Sequence, residues 1–272
     1  MPGALSIRGA GKIYDPGGLH VVAMQDISVE ISAGAFCVVV GPSGCGKTTL
    51  LNAIAGFDNL TSGEIRLDDR PIASATARPE PGPDRMVVFQ NGALFPWKTV
   101  LWNVSCGPVR QGRLSQPEAE RQARELMHNV GLAGIEDQFP EQLSGGQKRR
   151  VEIVRALMND PKILLLDEPF RALDALTKSV VQEFLLEVYD LAPKTVFFIT
   201  HDLEEAIFLA DIVVVMTTRP GTVKSIVRVD IPRPRDHRLL TAPRFLELFA
   251  ELQQGIHAEA RKAFEAGERE LA

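Results

Sequence analysis

Hydrophobic and polar residues alternate in two early segments, Leu5–Tyr14 and Val21–Ile31, separated by Asp15-Pro16-Gly17-Gly18. Period-two patterning around a Pro/Gly turn predicts a hairpin-like antiparallel layer. Phe36–Val40 breaks that rhythm, being apolar at every position, as a strand buried on both faces must be. Apolar strands return at residues 163–166, 196–199 and Ile212–Met216, and a shorter one at 86–89 follows the Pro/Gly-rich stretch 78–84. Helical segments separate them, the first over 47–56. Buried strands alternating with helices predict an α/β fold with a mainly parallel sheet core and an N-terminal antiparallel β layer.

From about residue 94 to about 158 the pattern turns helical, which reads as a helical subdomain inserted into that core. Within it Ser115 and Glu118 are spaced as a capping box, Ala123, Leu126, Met127 and Val130 share one face, and Gly131 marks the stop. Beyond Arg219-Pro220-Gly221 come one more alternating strand and a Pro/Arg stretch over 231–235. The domain division expected is 1–231, with a C-terminal helical tail over 232–272. In that tail Phe245, Leu248, Phe249, Leu252 and Ile256 fall on one helical face. Packing back onto the core is expected of it; a partner or regulatory surface is the alternative.

Composition narrows the function classes. With 272 residues, 45% apolar and 24% charged, the chain can bury a core and is not disordered or fibrous. Thirty Lys+Arg against 35 Asp+Glu leave a net charge of −5, so no overall basic field recruits nucleic acid or anionic lipid. No apolar run approaches the roughly 18 residues of a membrane span. The opening MPGALSIRGA has no charged start followed by an apolar core, so no export signal is expected. Three scattered cysteines, Cys37, Cys45 and Cys106, fit reduced thiols rather than a disulfide framework or a zinc site.

The chemistry begins at Gly41-Pro42-Ser43-Gly44-Cys45-Gly46-Lys47-Thr48-Thr49, which matches G-x-x-x-x-G-K-[ST] between a strand and a helix. Glycines let backbone N–H groups curl around phosphates, and the following helix points its positive end at the same anion. Lys47 adds a charge at the β/γ-phosphates, and the Thr48 hydroxyl can ligate magnesium. A second signal is Asp167-Glu168-Pro169 at the end of the 163–166 strand, where α/β sheets present ligands. Asp167 suits a magnesium shell and Glu168 the polarisation of a water. The third is Leu143-Ser144-Gly145-Gly146-Gln147, where Ser144 is a natural N-cap. Two glycines weaken a first helical turn, so an anion-binding helix start explains them better than capping alone. Lys148, Arg149 and Arg150 after it read as a solvated helix face.

In this order the three motifs resemble the ATPase subunits of ATP-binding-cassette (ABC) transporters, over about residues 5–230. The resemblance implies the P-loop ABC ATPase fold, ATP and Mg2+ as ligands, and two cassettes enclosing two ATP molecules head to tail. Each ATP would touch the loop Gly41–Thr49 of one cassette and Ser144, Gly145, Gly146 and Gln147 of the other. Carried over residue by residue, Tyr14 resembles the aromatic that stacks on adenine, though it also suits an ordinary strand. Gln90 resembles the glutamine that meets magnesium and the water, and His201 the histidine that reaches the γ-phosphate. Asp174 matches the loop that faces the other cassette. Catalysis thus falls to Lys47, Gln90, Glu168 and His201, and magnesium to Thr48, Gln90 and Asp167.

Phe89-Gln90-Asn91, Leu94-Phe95-Pro96-Trp97, Asp167-Glu168-Pro169-Phe170 and Thr200-His201-Asp202 are further similar to nitrate, sulfonate and taurine importer ATPases. That likeness implies a homodimer peripheral to the cytoplasmic face of a bacterial inner membrane. Its partners would be two permease subunits and a periplasmic or extracellular solute-binding protein. Phe95, Trp97, Val100 and Trp102 could line a groove for the permease, or pack in the core, as at least two of them are expected to. A cassette ATPase acting on nucleic acid or a protein assembly is the rival reading, and a non-catalytic module a third. Three positions depart from the pattern: Arg171 for a small residue, Arg149 for glutamine and Val154 for alanine. Arg171, close behind Glu168, is expected to reach the cassette interface, or else to face solvent or pair with an acid.

Overall fold

The computed structural model describes residues 1–15 and 17–265; Pro16 of the first turn and residues 266–272 of the tail lie outside the described residues. The first half holds β1 (Leu5–Tyr14), β2 (Val21–Ile31), β3 (Phe36–Val40), α1 (Lys47–Ala55), β4 (Ser62–Leu67), β5 (Arg70–Ser74) and β6 (Arg85–Val88). Helices α2 (Val100–Arg110), α3 (Gln116–Asn129) and α4 (Gly145–Leu157) follow. Then come β7 (Ile163–Asp167), α5 (Ala175–Leu191), β8 (Thr195–Ile199), α6 (Leu203–Leu209), β9 (Ile212–Met216), β10 (Val223–Arg228) and α7 (Pro243–Glu265).

The strands form two sheets. An antiparallel one runs β2-β1-β4-β5, and a six-stranded one runs β10-β9-β3-β8-β7-β6, parallel except at the β10 edge. The unbroken apolar run of β3 now has its reason. Phe36, Val38 and Val40 enter one core with the helices α2–α7, whereas Cys37 and Val39 enter a second core with α1 and the antiparallel sheet. Opposite faces of one strand thus feed two cores.

The β4–β5 hairpin lay outside the sequence reading. Its turn is Asp68-Asp69 with φ of 48° and 64°, a two-residue hairpin turn with two left-handed positions. Asp-Asp is a weaker turn signal than Asn-Gly, yet Ile65, Leu67 and Ile72 alternate around it and are buried.

One helix-end expectation needs correction. Ser115 has N-cap backbone geometry, but its side chain takes no helix N–H. Pro117 occupies the second helical position and lacks one of the two donors such a cap would use. The tail helix does pack back: Phe245, Leu248 and Leu252 are buried against the core, and α7 meets α6 and β9. Buried Arg235 from the Pro/Arg stretch donates to Ile207 O, Phe208 O and Ala210 O, satisfying the orphan carbonyls at the end of α6. Burial brings its pKa down to about 10. Among the described residues no helix is long and apolar enough to cross a membrane.

Candidate active site

The parallel sheet sets the site. β3, β8, β7 and β6 are successive neighbours, and the segments after all four emerge at one edge. Val88 pairs with Leu166, and Asp167 with Ile199. Gln90, Glu168 and His201 each follow within one or two residues of these pairs, so register alone brings together residues 33 to 111 positions apart in the chain. The carboxyl ends of parallel strands are where α/β sheets bind ligands.

After β3 the loop 41–46 curls into α1. Gly46 sits at φ 91°, and a Cβ there would lie 2.9 Å from Ala23 O, so no other residue fits. No side chain caps α1, which leaves its first N–H groups available to an anion. Lys47 is buried, with Nζ donating to Gly41 O at 2.7 Å and Pro42 O at 3.0 Å. Cys45 turns its thiol inward, where burial pushes its pKa up, so only its backbone can face a ligand. Ser43, Gly44 and Thr48 are exposed. The guanidinium of Arg219, read from the sequence only as part of a turn, reaches over Gly44 and adds positive charge there. Beside the helix start, the half-exposed ring of Tyr14 directs its hydroxyl to Thr49 Oγ1 (3.4 Å) and Asp58 Oδ2 (3.3 Å). A flat aromatic face next to a phosphate loop can stack on a base.

Across the loop, Thr48 Oγ1 lies 3.4 Å from Asp167 Oδ1. Burial and the neighbouring Glu168 charge both raise the Asp167 pKa. The local excess of negative charge and the all-oxygen set Thr48, Asp167 and Gln90 fit a hard cation. Among the described residues there is no group of three His, Cys, Asp or Glu that could hold a metal. Magnesium is held by one or two protein carboxylates together with substrate phosphates, and Asp167 beside the Thr48 hydroxyl fits that pattern. Glu168 adopts φ 41°, a left-handed backbone that costs a side-chain-bearing residue, and it lines a small cavity with Arg171 and His201. Its Oε2 is 3.4 Å from His201 Nδ1 and 3.4 Å from an Arg171 Nη1.

Ser144-Gly145-Gly146-Gln147 belongs to the helical group instead of the strand edge. Ser144 Oγ accepts from Gln147 N at 3.2 Å, and Gln147 Oε1 accepts from Ser144 N at 2.9 Å, a complete capping box. Capping is thus a larger part of this motif than the sequence reading gave it. The glycines also have a reason inside the chain: a Cβ on Gly146 would lie 2.5 Å from Thr177 Cγ2 of α5. Asp174 caps α5, accepting from Thr177 N at 3.0 Å, which fixes the helix start that Gly146 approaches. Ser144 and Gly145 remain exposed.

The ABC transporter family model matches residues 24–171, more than half of the chain, from β2 through the loop after β7. The chain belongs to the ABC transporter family. It is 44% identical to the nitrate import ATP-binding protein of Synechococcus elongatus, over 92% of this chain and 90% of that protein. Against the taurine import ATP-binding protein of Rhizobium johnstonii it is 45% identical, over 89% and 91%. Among solved structures it resembles a dimeric ATP-binding cassette in a post-hydrolysis state with ADP and Pi. That match has a TM-score of 0.70 and 30% identity, covering 84% of this chain and all of that one. The expected fold and activity stand: this is an ABC ATPase.

Within the ABC ATPase, two sequence expectations change, and of the alternatives for Arg171 the pairing with an acid is the one found. Arg149 is buried, not solvated, and Arg150 lies over the Phe184 ring while donating to Val130 O. Arg171 is largely exposed but pairs with an acid, and that acid is Glu168. Of the four residues after Gln90, Val100 alone is fully buried; Trp97 is 69% exposed, Phe95 40%, and Trp102 half-buried. Phe95 stands between the rings of Trp97 and Trp102, so the three form one aromatic surface feature.

Proposed function

We propose that this ABC ATPase drives an importer of a small anionic solute of the nitrate, sulfonate or taurine kind. In this reading two copies act head to tail with two separate permease subunits and a solute-binding protein. They sit peripherally on the cytoplasmic face of a bacterial inner membrane. The import names of relatives at 44% and 45% identity support the direction and the solute class. The catalytic unit is residues 1–231, with 94–158 as its helical subdomain and 232–272 as a tail.

The reading rests above all on where the motif residues stand. Lys47, Thr48, Gln90, Asp167, Glu168 and His201 gather at one sheet edge, whereas Ser144 and Gly145 are exposed elsewhere. One copy therefore holds half of each site. Lys47 and the N–H groups of Gly41–Thr49 hold the β/γ oxygens, and Tyr14 stacks on the base. Thr48, Gln90 and Asp167 hold magnesium, which when bound supplies positive charge to the phosphate oxygens. Glu168 orients or deprotonates the attacking water, and His201 holds the γ-phosphate. Ser144, Gly145, Gly146 and Gln147 of the second copy close the site. Nucleotide favours the closed pair because only there does it contact both copies, and differential contact is what shifts an equilibrium. Hydrolysis removes that contact.

Glu168→Gln tests the reading. It is expected to retain ATP, to lose hydrolysis by a factor of about 100 or more, and to elute as a dimer with Mg-ATP. A variant that stayed monomeric with saturating Mg-ATP, even beside its permease, would overturn it. Co-purification with nucleic acid instead of a membrane subunit would favour the rival reading.

A further inference from the structure

The segment 89–99, which carries Gln90 and the aromatic feature, has no strand partner, and its irregular backbone must still satisfy its polar groups. Side chains do so. On α4, Arg149, Glu152 and Arg155 recur every three residues and share one helix face. Arg149 donates to Phe89 O at 2.7 Å and to Gln90 O at 2.8 Å. Glu152 Oε1 accepts from Ala93 N at 2.6 Å, and Arg155 donates to Ala93 O at 2.7 Å. Arg149 and Glu152 also bond each other at 2.7 Å, with 7% and 4% of their side chains exposed. From α2, the fully buried Asn103 accepts from Phe95 N and donates to Phe95 O, Lys98 O and Thr99 O. Next to the clasp lies a cleft of about 340 Å³, lined by Gln90, Gly145, Lys148 and Leu173 among others. Leu94 packs against the core, and these polar bonds hold the rest of the segment to α4 and α2.

We propose that Arg149 and Glu152 form a buried clasp that makes the Gln90 loop and α4 move as one body. Gln90 would serve this copy's nucleotide, and Ser144–Gly146 at the other end of the same clasped unit would serve the partner's. The clasp therefore transmits a shift of the loop, or of the aromatic feature two residues past Ala93, to both sites together. Arg149 and Glu152 are positioning residues: they act through Gln90 and through α4. The inference rests on the assignment of Gln90 and Ser144–Gln147 given above.

The test is hydrogen exchange by mass spectrometry on the full chain, kept dilute enough to be monomeric so that no partner's nucleotide reaches 143–150, with and without a non-hydrolysable Mg–ATP analogue, followed over 41–49, 89–95 and 143–150. In the wild type the nucleotide is expected to slow exchange in all three. In Arg149→Gln/Glu152→Gln the response at 41–49 should persist while that at 143–150 is lost. The same variant should lose about tenfold in kcat with KM for ATP within about twofold, as for a geometry loss outside ground-state binding. Should the double variant not fold, Arg149→Lys, which keeps the charge but cannot span both carbonyls, is expected to give an intermediate loss. Joint responses and an unchanged kcat in a folded variant overturn the clasp alone. A wild type protected at 41–49 but not at 89–95 would overturn the Gln90 assignment and the clasp with it.

Discussion

Glu168 carries three demands at once: a left-handed backbone, a place beside Asp167 and a carboxylate oxygen shared by His201 and Arg171. The arginine is a departure visible in the sequence, but its partner was not, since which acid it meets depends on how the 168–171 turn folds. An exposed ion pair contributes little, because solvent screens it and ordering the side chain opposes it. Arg171→Gly is accordingly expected to leave KM for ATP unchanged and to raise kcat about twofold, by releasing the oxygen proposed to polarise water. Steady-state hydrolysis of both proteins measures this, and a drop in kcat would show that Arg171 assists Glu168 instead of restraining it. Lys47, by contrast, was legible in full: its motif fixes both the loop and the helix behind it. Its bonds to Gly41 O and Pro42 O were not, for they depend on how tightly the loop closes.

At the scale of elements, the buried strands were read to within a residue or two, because runs such as Phe36–Val40 have one physical explanation. The β4–β5 hairpin escaped because its turn uses Asp-Asp. Arg149 escaped for a different reason. A basic residue after a helix start is usually solvated, and only the loop carbonyls and Glu152 make burial tolerable. Gly146 belongs to this scale as well. Adding a Cβ against Thr177 Cγ2 overpacks the α4–α5 contact, so Gly146→Ala is expected to cost about 1–3 kcal/mol. Thermal unfolding should then move down by several degrees. Thr177→Ala in the same chain removes the clashing methyl and should recover most of that loss. If Gly146→Ala proved neutral, the glycine would be there for the partner's nucleotide and not for packing.

For the whole molecule, one polar tie links the antiparallel layer to the lead into β7. Asp68, in the β4–β5 turn, receives Lys162 Nζ at 2.6 Å and Ala4 N at 2.8 Å. The Lys162 hydrogen bond holds its pKa below the ordinary 3.8. A carboxylate with a depressed folded-state pKa contributes stability above its unfolded value and loses it as pH falls through the folded one. Asp68→Asn should therefore be slightly less stable than the wild type at pH 7, with the gap gone by about pH 2. Urea midpoints at both values measure it. The gap stays small because the pair is exposed. A second prediction concerns assembly. Trp97→Ala should keep ATP hydrolysis by the isolated chain and weaken binding to the permease, since Trp97 is exposed and lies off the sheet edge. Pull-down of the permease measures the loss; equal binding would move the docking surface elsewhere.

By itself the sequence determined the kind of chemistry and the framework that presents it. A Gly-rich loop with Lys47 and Thr48, two carboxylates ending an apolar strand, and unbroken runs of Val, Ile and Leu each admit few physical solutions. Tertiary structure decided which side chains meet across long separations. Gln90, Glu168 and His201 converge because β6, β7 and β8 pair in parallel at one register. Arg149, Glu152 and the 89–93 backbone converge because an unpaired loop must find its hydrogen bonds somewhere. Local pattern encodes an element's period and its buried face. Partners for buried polar groups are set only when those elements pack, since satisfaction of a hydrogen bond is a property of the space between them.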